Sequence, residues 1–545
     1  MHWNRYRLFL VATVALFVFA ACAPAAAPTA PGETSAPTDA SPADTSPTGP
    51  MTGGSLVLGL ATEPVTLDPS AAFYIAERLV LMSIFDTLVT MAPDGSLHPG
   101  LATEWTVNDE GTEFTFTLRQ DVTFHDGEAF NAAAVLNAFQ RIQAITDFSA
   151  AQTALADFAD AVAVDDYTVT VTFAAPKPRF LEDLSQPWLG IPSPAAEDLA
   201  QNPVGSGPFV FVEWAPQDHI TLARNPDYAW APDFATNDGA TLLDGVTFRV
   251  LPDQAARLSA LEAGEAQVVE DPAAQEASPL IADGTFNVAT FTAPGMPSHM
   301  MLNAELAPTD DLAVRQAMIY AVNQEELVGV AFAGLQSASH NVLSPSTFGY
   351  NPDAAALYQP DLAQAQALLE EAGWVDSDGD GIREKDGEKL HIAYPAIPAY
   401  ESAFMELLAA YLTEAGFEVE IMTMDDAGVF EFAGAGNHNM VNMGWTSSDP
   451  GVLNIVYNSA NIDGGSAFAR FRSDDLDNAL NAAASELDRD ARADLYAQAQ
   501  QIIMENALAL PVHNYDRVML MTPAVQGWRF DAEGYPYLQE VWLAQ

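Results

Sequence analysis

The segment Asp376-Ser377-Asp378-Gly379-Asp380-Gly381-Ile382-Arg383-Glu384 is composed for cation chemistry. Carboxylates at alternate positions can converge on one point, and the glycine at the sixth position permits the sharp turn of a calcium loop. The twelfth position is Gly387, where an EF-hand has a bidentate Glu. Two readings therefore stand side by side: a structural calcium held by Asp376, Asp378, Asp380 and Glu384, and an Asp/Gly-rich surface turn without an ion. His125-Asp126-Gly127 sets a His beside a carboxylate, the residue types of acid–base catalysis. It follows a strand-like run, however, and reads as a turn in which Gly127 supplies a dihedral other residues avoid.

Signatures of the common enzyme classes are missing. The three lysines, Lys177, Lys385 and Lys389, do not follow glycines, so no loop of the Walker A type cradles a phosphate. Ser-x-x-Lys, Gly-x-Ser-x-Gly and His-Glu-x-x-His do not occur. Gly205-Ser206-Gly207 and Gly434-Ala435-Gly436 lack the third glycine of a dinucleotide fingerprint. The nine histidines are scattered, without the helical pairing that metal ligation favours. No cofactor is expected beyond the calcium just considered. A secreted acidic hydrolase with paired carboxylates remains the alternative, but among 74 acidic residues some pair always looks suggestive.

The 545 residues carry 20 Lys+Arg against 74 Asp+Glu, a net charge of −54. Such a chain is repelled by nucleic acid and by anionic membrane surfaces, which excludes nucleic acid as a partner. With 49% apolar residues it can bury large cores. The lone cysteine, Cys22, rules out an internal disulfide and a Cys-based metal cluster.

Cys22 ends a basic start, Arg5 and Arg7, and an apolar run from Leu8 to Ala21 too short for a comfortable membrane span. A Cys directly after the small pair Ala20-Ala21 resembles a bacterial lipobox, with Phe19 a mild departure. Residues 1–21 then read as a lipoprotein signal peptide, and 22–53 as a lipidated Cys on an Ala/Pro/Thr tether that cannot bury enough apolar surface to fold. Removing the leader leaves 18 basic against 74 acidic residues, −56. Membrane contact is expected through the lipid anchor only, at the periplasmic or extracellular face.

Alternation of Phe114, Phe116 and Leu118 with threonines, and of Tyr167, Val169, Val171 and Phe173 with threonines, predicts half-buried strands. Leu56 to Leu58 predicts an opening strand, and Asp253 caps a helix running to about Ala263, ended by Gly264 and followed by a strand at Val268-Val269. Helical spacing recurs over Leu312 to Ala321, at Leu362, Ala365, Leu368 and Leu369, and at Leu495, Ala499 and Ile502. Strands mixed with short helices argue for α/β lobes built on sheets.

Several blocks occur in order along this frame: Glu63-Pro64-Val65-Thr66-Leu67-Asp68-Pro69, Ile84-Phe85-Asp86-Thr87-Leu88-Val89, Pro99-Gly100-Leu101-Ala102-Thr103-Glu104-Trp105 and Val122-Thr123-Phe124-His125-Asp126-Gly127. Gly205-Ser206-Gly207-Pro208-Phe209, Arg224-Asn225-Pro226-Asp227-Tyr228, Val314-Arg315-Gln316-Ala317 and Leu368-Leu369-Glu370-Glu371-Ala372-Gly373-Trp374 follow. From about residue 54 to the C-terminus the chain resembles the family 5 extracellular solute-binding proteins, the peptide/nickel-type receptors of ABC transporters. The resemblance implies a two-lobe periplasmic-binding-protein architecture, type II-like and enlarged for peptides, with mixed sheets and a hinge. Lobe I would comprise 54–296 plus 507–545 and lobe II 297–506, with crossovers near His299 to Asn303 and near Pro511. The implied partners are a peptide or other small solute and ABC permease subunits, and the receptor would be a monomer. A nickel chelate, a glutathione-like compound or an oligosaccharide is the alternative solute.

The resemblance also places ligand residues. Gly444-Trp445-Thr446-Ser447-Ser448-Asp449-Pro450 aligns with a family loop in which an Asp holds a peptide's α-amino group. Ser448 stands three residues after Trp445, where peptide binders tend to have that Asp. Asp449, one further on, either anchors the ligand or fixes the turn with Pro450. Trp445 offers a stacking face or fills inter-lobe core, and Ser447 neighbours the anchor. Phe73 and Tyr74 border the cleft in relatives, and Asn303 lies on the crossover strand that the resemblance implies, where its amide meets ligand or backbone.

Overall fold

The computed structural model describes residues 49–146 and 149–544. Cys22 and most of the expected tether lie outside the described residues.

Seven strands form the largest sheet, in the order Asn287–Thr292, Asp516–Met521, Val268–Glu270, Ser55–Leu60, Gly245–Val250, His219–Arg224 and Phe209–Ala215. Ser55–Leu60 runs parallel to both of its neighbours, and the remaining pairings are antiparallel. The sheet is therefore mixed, and its second strand comes from near the C-terminus. The predicted helix over Gln254–Glu262 forms as expected. Asp253 accepts the N–H of Ala256, and Gly264 follows with a left-handed φ of 72°.

The Thr/apolar alternations make the centre of a four-stranded antiparallel sheet, Ala102–Val107, Glu113–Leu118, Thr168–Phe173 and Phe158–Asp165. Phe114, Phe116, Leu118, Val169 and Val171 point into one core, and on the other face the hydroxyls of Thr115 and Thr170 meet at 2.9 Å. His125 and Asp126 sit at the turn expected of them. The His125 ring bonds the Gly207 carbonyl, and Asp126 accepts from the Ser193 hydroxyl.

The other half of the fold is built on a three-stranded sheet, Met440–Thr446, Gly295–Leu302 and Ala509–His513, with the parallel pair His391–Ala396 and Glu418–Thr423 nearby. Every residue of Gly295–Leu302 is buried. The predicted helix Leu312–Ala321 is present, capped by Asp311. Two hydrophobic cores are drawn entirely from Met296 to Val512, whereas the three other cores take their buried residues from Leu56 to Phe286 and from Met519 to Val541. The chain passes between these halves twice, side by side, at Ala293-Pro294 and Asn514-Tyr515, joined where the Ala293 N–H donates to the Tyr515 carbonyl. His299 and Pro511 pair with each other inside the three-stranded sheet. Among the described residues no helix is long and apolar enough to cross a membrane.

Candidate functional site

Three adjoining cavities lie where the two halves face each other. The central one, about 650 Å³, shares Arg179, Pro294, Ser448 and Asp449 with a cavity of about 390 Å³, and Ala293, Thr446 and Arg517 with one of about 580 Å³. Volumes of this size suit small organic ligands. A fourth cavity of about 110 Å³ lies within the first half, around Asp86 and Tyr228.

Backbone packing presents the Trp445 loop to the central cavity. Thr446 and Trp445 pair with Gly295 and Met296, and the Ser447 N–H donates to the Pro294 carbonyl. Gly295 is needed here: its φ is 116°, and a Cβ would stand 2.3 Å from the Trp445 carbonyl oxygen. At Gly444 a Cβ would stand 2.1 Å from the Tyr515 hydroxyl, so that ring would have to move. The glycines thus let the loop close against the passage between the halves.

Trp445 is 47% exposed and lines the cavity, so its side chain is not inter-lobe core. Ser447 and Ser448 line it too, although the Ser447 hydroxyl is occupied by the Asp449 N–H. Asp449 fixes the turn and also meets a cation of the other half. One carboxylate oxygen accepts the Gly451 N–H at 2.7 Å, fixing the turn, and the other pairs with Arg179 across the cleft. Phe73, 47% exposed, faces the same cavity. Tyr74 stands at the start of the helix Ile75–Ile84, exposed, and lines none of the three cavities.

Asn303 requires a correction. Its side chain is completely buried, its amide donates to the carbonyls of Gly436 and His438, and its oxygen accepts the Glu305 N–H. No donor faces a cavity, so Asn303 ties backbone segments together rather than meeting a ligand. The Asp376, Asp378, Asp380 and Glu384 oxygens do converge, within 4.8 Å of one another, on an exposed loop. Loop N–H groups already bond all four carboxylates, and Lys389 pairs with Asp380 at 3.0 Å.

The cations of the cleft were not legible as site residues. Arg78, Lys177, Arg179, Arg489, Arg492 and Arg517 line the three cavities, six of only 20 Lys+Arg in the chain. Their scarcity is the only signal the sequence offered. Arg78 is buried between Asp531 at 3.3 Å and Glu533 at 3.0 Å, also donates to Gln186, and lies against the Trp188 and Tyr535 rings. Burial opposes its charge, but the Glu533 and Asp531 carboxylates outweigh that and hold its pKa above the ordinary value. Burial raises the carboxyl of Asp183, and the Arg179 guanidinium opposes the rise. Burial also pushes the Tyr535 phenol up to about 12. The cleft therefore presents indole and phenyl faces between fixed charges of both signs. It can hold a solute with an apolar body and charged ends, and among the described residues it shows no nucleophile hydrogen-bonded to a base.

Comparison with known proteins agrees with this arrangement. A probable di/tripeptide-binding protein of Pseudomonas aeruginosa is 30% identical over 473 residues, covering 81% of this chain and 86% of its own. The nickel-binding periplasmic protein of Escherichia coli is 28% identical, over 69% of this chain and 73% of its own. The solved structure of HbpA2 from Haemophilus parasuis superposes with a TM-score of 0.77 at 25% identity, over 90% of this chain and all of its own. The family model for the bacterial extracellular solute-binding proteins, family 5, matches residues 96–466. With two sheet-based halves, a cleft between them and a match across most of its length, the chain belongs to the family 5 bacterial extracellular solute-binding proteins.

Proposed function

We propose that the protein is the extracytoplasmic receptor of an ABC importer and that it carries peptides. The central cavity carries this reading: the Trp445 to Asp449 loop of one half faces Phe73 and Arg179 of the other, so a solute there touches both halves at once. A ligand that bridges both halves only when they are together shifts an open–closed equilibrium toward the closed form, which the permease then engages. The lobes expected at 54–296 plus 507–545 and 297–506 are taken with shifted bounds, as 54–293 plus 515–545 and 294–514, because Met296, Leu508, Ala509, Leu510 and Val512 belong to the cores of the second half. Peptide is favoured by the di/tripeptide-binding relative and by a lining that pairs charges of both signs with aromatic faces. The nickel-binding relative is a reminder that one scaffold serves different solutes.

In this reading Asp449 receives the ligand's amino group, exchanging Arg179 for a new cation. Cys22 carries the lipid that holds a monomeric receptor at the membrane, and detergent phase partitioning of the wild type against Cys22→Ser tests that anchor.

Native mass spectrometry of the protein as purified, before and after mild denaturation, tests the ligand class. A released peptide supports the reading; a nickel chelate, a glutathione-like compound or a sugar replaces it. Asp449→Asn should weaken peptide binding tenfold or more, and unchanged affinity removes Asp449 from the site. Incubation with a peptide library distinguishes receptor from hydrolase, because a receptor returns its ligand intact.

A further inference from the structure

We infer that Arg517 is the carboxylate anchor of the cleft, taking the ligand's C-terminal carboxylate at the passage between the 650 Å³ and 580 Å³ cavities. The inference rests on the peptide reading and deepens it. Arg517 lines both of these cavities, together with Ala293 and Thr446. Each of the other cleft arginines has a carboxylate within 4 Å: Asp531 and Glu533 for Arg78, Asp183 and Asp449 for Arg179, and Glu182 for Arg489 and Arg492. Arg517 has no such partner among the described residues. Its Nε donates to the Glu533 carbonyl at 3.2 Å and one Nη2–H to the Tyr535 hydroxyl at 2.7 Å. Of its five N–H donors, three are left without an acceptor among the described residues.

The guanidinium is also held in place. It stacks 4.0 Å from the Tyr535 ring centroid, and Tyr535 is itself buried and in contact with Arg78. The acids around Arg517 do not take up its free donors. Asp516 accepts from the Ser337 N–H and the Thr292 hydroxyl. Asp271 and Glu270 feel its charge from beyond ion-pair distance, and burial raises both carboxyls, that of Glu270 to about 7. Lys177, the other cleft cation without an ion pair, points its ammonium at the Ala156 carbonyl and lies near Asp183 and Asp157. A preoriented guanidinium with adjacent free donors and no counter-ion is complementary to a carboxylate, which it can grip with two parallel hydrogen bonds. That a chain so poor in cations leaves this one unpaired, at a junction of the cleft, is what singles it out.

The test uses a mixed tripeptide library prepared as free acids and as isotope-labelled C-terminal amides, competed on the intact protein and read by native mass spectrometry. The wild type should favour the acids by tenfold or more. Arg517→Gln should bind acids and amides within threefold of each other, and Arg517→Lys, which keeps the charge but loses the fork, should fall between. Melting curves of both variants check that the fold survives the lost bond to Tyr535. A wild type indifferent to the amide, or an Arg517→Gln protein that still prefers the acids tenfold, overturns the assignment while the peptide reading stands. If no tripeptide in either form binds the wild type, both fall together.

Discussion

Glu182 and Arg492 join the two halves of the fold at the wall of the 390 Å³ cavity and allow closure to be probed. Arg492, only 4% exposed at its side chain, donates to Glu182 at 2.6 Å, to the Pro178 carbonyl at 3.0 Å and to the Glu486 carbonyl at 3.4 Å. Replacing Glu182 by Gln leaves that guanidinium buried without its counter-charge. Losing one partner of a buried pair is strongly destabilising, and the two carbonyls retained bring the expected cost to about 2–3 kcal/mol. The cost falls on the closed form alone, because both groups return to water when the halves separate. At about 1.4 kcal/mol per tenfold, closure and ligand affinity should drop roughly 30- to 150-fold. Arg492→Met is milder, about 1 kcal/mol, since Glu182 keeps Arg489 at 3.6 Å. The double variant, which removes both charges, should recover most of the loss. Affinity for the co-purified ligand, the radius of gyration from small-angle scattering and the melting temperature together read the outcome. The expected pattern is weaker binding and a larger radius with little change in melting. Equal losses in the two single variants, or strictly additive losses in the double, would refute the reasoning.

Four further outcomes follow from the same structure. Asn303→Ala strands the carbonyls of Gly436 and His438 and the Glu305 N–H, so thermal unfolding should show a loss of about 2–3 kcal/mol while affinity of the folded protein holds within twofold. Burial, with the Asp271 charge adding to it, raises the Glu270 carboxyl from 4.5 to about 7. Its contribution to stability is therefore fully present below pH 4.5 and is lost as pH rises to 7, by an amount on the order of 3 kcal/mol; denaturant titrations of wild type against Glu270→Gln should converge at low pH, and a constant difference would sink the account. Loop N–H groups and Lys389 engage at least one oxygen of each carboxylate in the Asp376 cluster, although Glu384 Oε1 is buried without a partner among the described residues; calcium and chelator should give the same melting temperature, whereas stabilisation by calcium would make these residues ligands. Finally, a net charge of −54 predicts that melting rises between 0.05 and 1 M NaCl, and a flat profile counts against an acidic surface suited to salt.

The elements that the sequence made legible are those whose own residues decide them. Phe114, Phe116 and Leu118 alternate with threonines because one face of their sheet is buried and the other is not, and that pattern survives in any tertiary setting. Asp253 and Asp311 cap helices through bonds to N–H groups two or three residues on. The cleft is different in kind. Arg78 meets Asp531 and Glu533 across more than 450 residues, and Arg517 reaches the cleft only because its strand slots between Val268–Glu270 and Asn287–Thr292. Asn303 shows the converse: a strand-end amide looks the same in sequence whether it faces solute or two carbonyls, and only burial distinguishes them.

A net charge of −54 would by itself favour cationic or neutral ligands, and the placement of the cations argues otherwise. Exposed carboxylates are screened over about 10 Å at 0.1 M salt, so the surface field scarcely enters a cleft lined by partly buried groups. Inside it, the local lining decides. Six of the 20 cations stand there, most of them matched by Asp183, Asp449, Asp531, Glu182 and Glu533. A solute entering this cleft meets eight lining carboxylates and six cations, and in the reading proposed above Arg517, the one arginine among them without a carboxylate of the described residues within 4 Å, would select for a ligand bearing a carboxylate even though the molecule as a whole repels anions. Weakening of that selection by Arg517→Gln, with the rest of the surface unchanged, would separate the cleft's chemistry from the surface's.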